Sequence, residues 1–439
     1  CLVGSEMCIR DRSIQILDEI NTSKPFFLAV GFKRPHLPFV APRKYWELYD
    51  ENKIKIAPYQ KKSKNAVDIA YHKAGEMQSY KTPEIIYKLN KDGLLELDEK
   101  LQKKLIHGYY AATSYIDAQI GKINEKLKEK GLDKNTIIVI WGDHGWHLGD
   151  HSLWNKHSNF EQATRSPLII YDPRINKGYK INTPTEFVDL FPTLSDLANL
   201  NIPKNLDGLS LKGQLNGEVT TKKIYAVSQF PRGNKMGYSF RTNDYRYTVW
   251  IKNKKSSEPI FKEDIHAEEL YDYNKDPLET ENKISAESYQ KVKATFQLLA
   301  ARYFNDHVVK STTDTKKFEP VIWPLDFNVS PLALISVDVI TKPPISPAVA
   351  LIEPSKNALP LAQNPYKLSP LLPVNIPKVG DVIPSNFPIL VLTVPSALKL
   401  ANEFTSSITS INGASSSSAV IYTAPCLSVL YIFPIRTYS

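Results

Sequence analysis

Three side chains stand where chemistry is easiest to place. Asp143 and His144 follow the apolar run Thr136-Ile137-Ile138-Val139-Ile140, inside Trp141-Gly142-Asp143-His144-Gly145. Sites in open α/β sheets form outside the carboxyl ends of strands. A carboxylate at such a point is a hard oxygen ligand for calcium or magnesium, and the imidazole beside it is a less usual neighbour for a hard cation. The flanking Gly142 and Gly145 let the backbone turn sharply and approach a ligand. A capping aspartate and a packed histidine would give the same letters, so Asp-His-Gly alone leaves both readings open. His36 lies in Arg34-Pro35-His36-Leu37-Pro38, just past a second apolar run, Phe26-Phe27-Leu28-Ala29-Val30. Two prolines hold that loop extended and present the imidazole from a stiff support.

The elements that must position these groups are legible as hydrophobic patterns. Short apolar runs bounded by turn residues predict strands: 26–30 has the mark of a buried parallel strand, 136–140 is a second buried strand rich in β-branched residues, and 168–171 is a third strand. Leu105, Tyr109, Ala112, Ile116, Ile120, Ile123 and Leu127 recur every three or four residues, which predicts a long helix ending at Gly131. Shorter helices are expected over 13–21 and 187–200. Strand, helix, strand, strand, helix gives an α/β sheet flanked by helices. Beyond residue 218, runs at 225–229, 237–241 and 245–250 and a helix over 286–304 predict a small C-terminal α+β domain. Residues 60–100 are polar and mixed and read as surface.

The bulk numbers set limits. A chain of 439 residues can hold two or three domains. Its formal net charge of +9 suits an anionic partner. No Lys/Arg-dense stripe with interleaved aromatics is present, so nucleic acid is not expected. No apolar run is long enough to span a membrane. The segment 13–310 contains no cysteine, which rules out a disulfide, a zinc-thiolate centre or a cysteine nucleophile within it. Residues 1–12 look like a foreign leader derived from adapter sequence, and are set apart from the fold. Residues 311–439 carry only 15 charged side chains but 17 of the 31 prolines. That composition predicts a tail with little regular structure. The expected divisions are 1–12, 13–217, 218–310 and 311–439.

The stretch from Trp141 through Asp143, His144, Gly145, Trp146, His147, Gly149, Asp150 and His151 to Lys156, continuing to Ala163-Thr164-Arg165-Ser166-Pro167-Leu168, resembles the C-terminal metal-site segment of the sulfatases, in the alkaline phosphatase superfamily. Tyr115-Ile116-Asp117 resembles the family's preceding helix, and Val188-Asp189-Leu190-Phe191-Pro192-Thr193-Leu194 the following one. Leu206-Asp207-Gly208 and Glu269-Leu270-Tyr271-Asp272 resemble later landmarks. The stretches 26–38, 228–232 and 236–250 are similar to the iduronate-sulfatase branch. The set is collinear over about residues 13–308.

The resemblance implies a calcium site with Asp143 and His144 as its last two protein ligands. It implies that His36 and Lys156 hold the sulfate and assist the leaving oxygen. As the S–O bond of a sulfate ester breaks, charge develops on the bridging oxygen, which a metal and a lysine can neutralise and an imidazole can protonate. His147, His151 and Arg232 could meet a substrate carboxylate or sulfate, and Trp146 could stack on a sugar ring. Glu161 and Arg165 read as braces. The substrate implied is a sulfated, uronic-acid-containing glycan, and the protein implied is an exported one. The alternatives are a phosphodiesterase or phosphonate monoester hydrolase of the same superfamily, or a non-catalytic glycan-binding remnant. The family's nucleophile is a formylglycine made within Cys/Ser-x-Pro/Ala-x-Arg, upstream of the strand matched at 26–30. Cys1 and Cys8 fit no such motif. The expectation is therefore a fragment, with its sheet incomplete on the N-terminal side and no turnover as it stands.

Overall fold

The structure is a computed structural model that describes residues 4–80, 88–178, 180–218, 223–252, 260, 262–311, 389–392 and 428–434. The first helix, α1 (Gly4–Glu19), begins inside the segment read as a foreign leader. That separation does not hold, because Ile9 is buried alongside Ile16 and Leu17 and packs in the main core. Glu6, also buried, accepts a hydrogen bond from the Lys33 backbone N–H at 3.2 Å.

Strand β1 (Phe27–Phe32) buries Leu28, Ala29, Val30 and Phe32, so both of its faces are covered. A one-turn helix, α2 (Gly75–Gln78), lies within the stretch read as polar surface. The long helix α3 (Glu99–Glu129) starts where the Asp98 carboxylate accepts from the Leu101 N–H at 2.7 Å. It stops at Gly131, whose φ of 68° lets Leu132 N–H reach back to the Leu127 carbonyl at 2.9 Å. Its apolar stripe, including Ala111, Tyr115, Ile116, Ile123 and Leu127, packs with α1 and β1.

Strand β2 (Thr136–Gly142) leads to the Asp-His pair. Its side chains alternate as strand geometry requires: Ile138 and Ile140 face the α1–α3 layer, and Ile137 and Val139 face Leu190 and Leu197 of a helix on the other side. A two-residue hairpin, His147–Leu148 against Trp154–Asn155, follows, then β3 (Leu168–Tyr171) and that second-layer helix, α4 (Leu190–Leu197). The small domain is an antiparallel sheet of β4 (Ala226–Arg232), β5 (Lys235–Arg241), β6 (Tyr245–Lys252) and β7 (Ile265–Asp272), covered by α5 (Gln290–Ser311). Phe240, Tyr247, Val249 and Leu270 pack on Phe296, Ala300 and Phe304 of that helix.

Two strands come from the proline-rich tail, β8 (Ile389–Leu392) and β9 (Ser428–Pro434). The expectation of a tail with little regular structure fails for these two stretches. Strand order in the main sheet is β8-β1-β9-β2-β3. β8 runs parallel to β1, and β9 pairs antiparallel with both β1 and β2, so β1 and β2 run in the same direction on either side of it. β3 is antiparallel to β2. The remainder of 312–439 lies outside the described residues.

Candidate active site

His36 and Lys156 are 120 positions apart in sequence and meet in space, with the Lys156 Nζ 2.9 Å from His36 Nε2. The loop after β1 carries His36, with the buried Arg34 guanidinium donating to the His36 carbonyl at 3.0 Å. The residue after the 154–155 strand is Lys156. Asn155, with φ of 78°, turns the chain there. The His36 Nδ1 faces the Leu37 carbonyl at 2.9 Å. A carbonyl only accepts, so Nδ1 carries a hydrogen and Nε2 is the ring position open to proton exchange.

A residue the sequence reading missed joins these two. Glu76 of α2 places Oε1 2.6 Å from Lys156 Nζ and 2.9 Å from His36 Nε2, with Oε2 3.8 Å from His157 Nε2. Burial alone would raise the Glu76 carboxyl, but hydrogen bonds from His36 and Lys156 and the lysine charge outweigh it and hold it at about 2. Among the signals available in sequence, only the Ala-Gly-Glu turn marks this position, and a one-turn helix gives no periodicity to detect.

Trp146 forms the floor. Its ring lies 5.1 Å below the Lys156 ammonium, edge-on to His36 at 5.7 Å and stacked with His144 at 6.0 Å. It is 9 % exposed and packs with Leu37, Ile106 and Trp154, so it supports the site from within and offers no open face to a sugar. Through this ring Asp143 and His144 adjoin the His36–Lys156 pair. The His144 Nδ1 faces the Gly145 carbonyl at 2.7 Å, which assigns its hydrogen and leaves the lone pair on Nε2, 3.7 Å from Asp143 Oδ2. Burial lowers the His144 imidazole, against the attraction of Asp143, so the neutral ring is favoured. The pair fits two adjoining donors of a cation shell. Among the described residues no set of three or more His, Cys, Asp or Glu side chains is grouped to hold a metal.

Other expectations change. Gly145 serves a crossing of backbones, because an added Cβ would lie 2.0 Å from the Gln162 carbonyl oxygen and 2.7 Å from that of Arg165. His147 is buried, with Nε2 2.7 Å from Ser158 Oγ. His151 is buried and stacks on Phe160 at 4.4 Å. Both are part of the packing, not of an open cleft, and burial lowers both imidazoles. Arg232 is tied to backbone carbonyls and a ring. Its guanidinium lies over Phe230 at 4.7 Å and donates to the carbonyls of Ile69 and His157. His157 stacks on Phe230, and burial pushes its imidazole down to about 4. Glu161 binds Arg241 and Arg246, as a brace would.

Residues 4–200 match the sulfatase family, and residues 149–302 match the C-terminal region of N-sulphoglucosamine sulphohydrolase. A sulfatase-family domain thus occupies residues 4–200. The chain is 31% identical to the iduronate 2-sulfatases of Mus musculus and Homo sapiens over 334 residues, covering 62% of this chain and 60% of theirs. A sulfatase of Formosa agariphila is 31% identical over 280 residues, covering 64% of this chain and 50% of that protein. The chain thus spans about three-fifths of the length of the first two relatives. Among solved structures, a phosphonate monoester hydrolase of Agrobacterium radiobacter has a TM-score of 0.53 at 23% identity, covering 67% of this chain and 59% of that one. A putative sulfatase of Bacteroides fragilis has a TM-score of 0.52 at 24% identity, covering 69% and 58%. These two share the fold. Among the described residues no helix is long and apolar enough to cross a membrane.

Proposed function

We propose that this chain forms the leaving-group side of a calcium-dependent sulfate-ester hydrolase acting on sulfated, uronic-acid-containing glycans in an exported protein. The observation that carries the reading is the contact of His36 Nε2 with Lys156 Nζ beside the Asp143–His144 pair. Asp143 and His144 would hold the cation, which supplies charge neutralisation at the sulfate oxygens when bound. Lys156, fixed over the Trp146 ring, neutralises charge growing on the bridging oxygen. His36 exchanges a proton at Nε2, with its ring orientation set by the Leu37 carbonyl. Arg232, whose guanidinium binds the carbonyl of His157 next to Lys156, would be the group to meet a substrate carboxylate. The glycan class rests on the iduronate 2-sulfatase likeness, together with a solved neighbour whose complex contains D-glucosamine-2-N,6-O-disulfate.

The nucleophile is assigned to no residue of this chain. We infer that turnover requires an upstream segment carrying the family's Cys/Ser-x-Pro/Ala-x-Arg motif and that the 439 residues alone do not release sulfate. The test is to join such a segment, co-express the converting enzyme and measure sulfate release from a sulfated uronide, with and without a chelator. Lys156→Ala and Asp143→Ala should each lower turnover by at least about 100-fold while the melting curve stays in place. Faster cleavage of a phosphonate monoester than of any sulfate ester would favour the other superfamily chemistry.

A further inference from the structure

Lys156 and His36 converge on a point that already holds a carboxylate. Lys156 Nζ, His36 Nε2 and Glu76 Oε1 form a triangle with sides of 2.9, 2.9 and 2.6 Å. The side chains of all three are at most 16% exposed. An ester oxyanion that reaches Lys156 and His36 must therefore sit against Glu76 as well. We propose that Glu76 sets the charge selectivity of this seat: its carboxylate, inserted between His36 and Lys156, admits a singly charged sulfate ester and disfavours a doubly charged phosphate monoester. This rests on the sulfate-ester reading above and narrows the substrate class of the same site.

The reasoning is Coulombic. The repulsion between one fixed negative charge and a ligand scales with the ligand's charge, so Glu76 opposes a dianion twice as strongly as a monoanion at the same place. Burial keeps that repulsion from being screened away by water and salt. The groups around Glu76 keep it ionised throughout the neutral range. Removing its charge should therefore tighten a dianion by the square of the factor for a monoanion.

The experiment uses the full chain and two probes of similar size. Methyl sulfate is a monoanion. Methyl phosphate, whose second ionisation lies near pH 6 as in other phosphate monoesters, is a dianion at pH 8. Affinities for wild type and Glu76→Gln are measured by calorimetry at fixed ionic strength. The expected result is about 5-fold tighter methyl sulfate and about 25-fold tighter methyl phosphate in E76Q, so that the preference for the monoanion shrinks. Lys156→Gln in the E76Q background should abolish both gains, which places the binding at this seat. Glu76→Ala provides the same comparison should E76Q melt early. An unchanged ratio of the two affinities, or no binding of either probe to E76Q and E76A, would overturn the proposal. Loss of the sulfatase reading is a separate outcome: the joined enzyme would then release no sulfate while the shift in ratio persisted.

Discussion

At the scale of single residues, Glu76 and two buried histidines near it, His72 and His157, are held below their ordinary pKa, and this makes the protein acid-sensitive in a predictable window. The depressed Glu76 carboxyl, about 2 against 4.5, contributes stability that is complete above pH 4.5 and is lost as pH falls towards 2. His72 and His157 are depressed by burial, to about 3 and about 4 from 6.5. A buried imidazole that resists protonation also contributes stability present above its unfolded value, here 6.5, and lost as pH falls through the folded one. Stability should thus begin to drop below about pH 6.5, well before the carboxylates titrate. His157→Asn should flatten the part of the denaturant midpoint curve between pH 6.5 and 4. A curve for the variant that overlays wild type there would show that His157 is not held neutral. Asp143, His144 and His36 were legible because strand ends and prolines mark them. Glu76 was not, because its partners lie 40 and 80 residues away along the chain and nothing local announces the contact.

Among the elements, the segment that follows β2 shows where backbone geometry, not side-chain chemistry, fixes a residue. Gly145 N–H donates to the Ala163 carbonyl at 2.8 Å, so the Asp-His loop is sutured to the one-turn helix Glu161–Thr164. A methyl group at Gly145 would meet two backbone carbonyls at impossible range. Gly145→Ala should cost about 3 kcal/mol or more, by overpacking and by shifting Asp143 and His144. Chemical denaturation measures this, and a loss under about 1 kcal/mol would mean that the loop adapts freely. The long helix α3 was legible from its apolar period and its glycine stop. β7 was not, because its run Ile265-His266-Ala267-Glu268-Glu269-Leu270-Tyr271-Asp272 carries four acidic or imidazole groups. The structure resolves that conflict by pairing. The buried Glu269 accepts from Trp250 Nε1 and Tyr271 hydroxyl, both at 2.9 Å, and burial raises its carboxyl to about 7. The tail strands were missed for a simpler reason. Proline frequency across 311–439 hid two apolar runs in which the only proline is the terminal Pro434.

Across the whole molecule, a buried charge is central among the contacts that join the small sheet to the site-bearing layer. Arg246 of β6 is 1% exposed, and donates to Glu279 Oε1 at 2.7 Å, to the Tyr273 hydroxyl at 2.8 Å, to Ser239 Oγ at 3.1 Å and to Glu161. Glu161 caps the other side of the junction, two residues before Ala163 and its suture to Gly145, and also accepts from Arg241 at 3.0 Å. The division at residue 217, drawn from the change in strand and helix pattern, therefore separates two patterns of secondary structure that share a polar joint. A buried ion network is weak evidence of net stability, yet removing one partner leaves the others uncompensated. Arg246→Met should cost about 3–5 kcal/mol, a fall in melting temperature on the order of 10 °C. The loss comes from stranded carboxylates, so neutralising them should return much of it. The triple variant Arg246→Met, Glu161→Gln, Glu279→Gln should melt above Arg246→Met alone. Were the triple variant no more stable than the single one, packing around the guanidinium stem would outweigh the charges, and the joint between sheet and site would be apolar in origin.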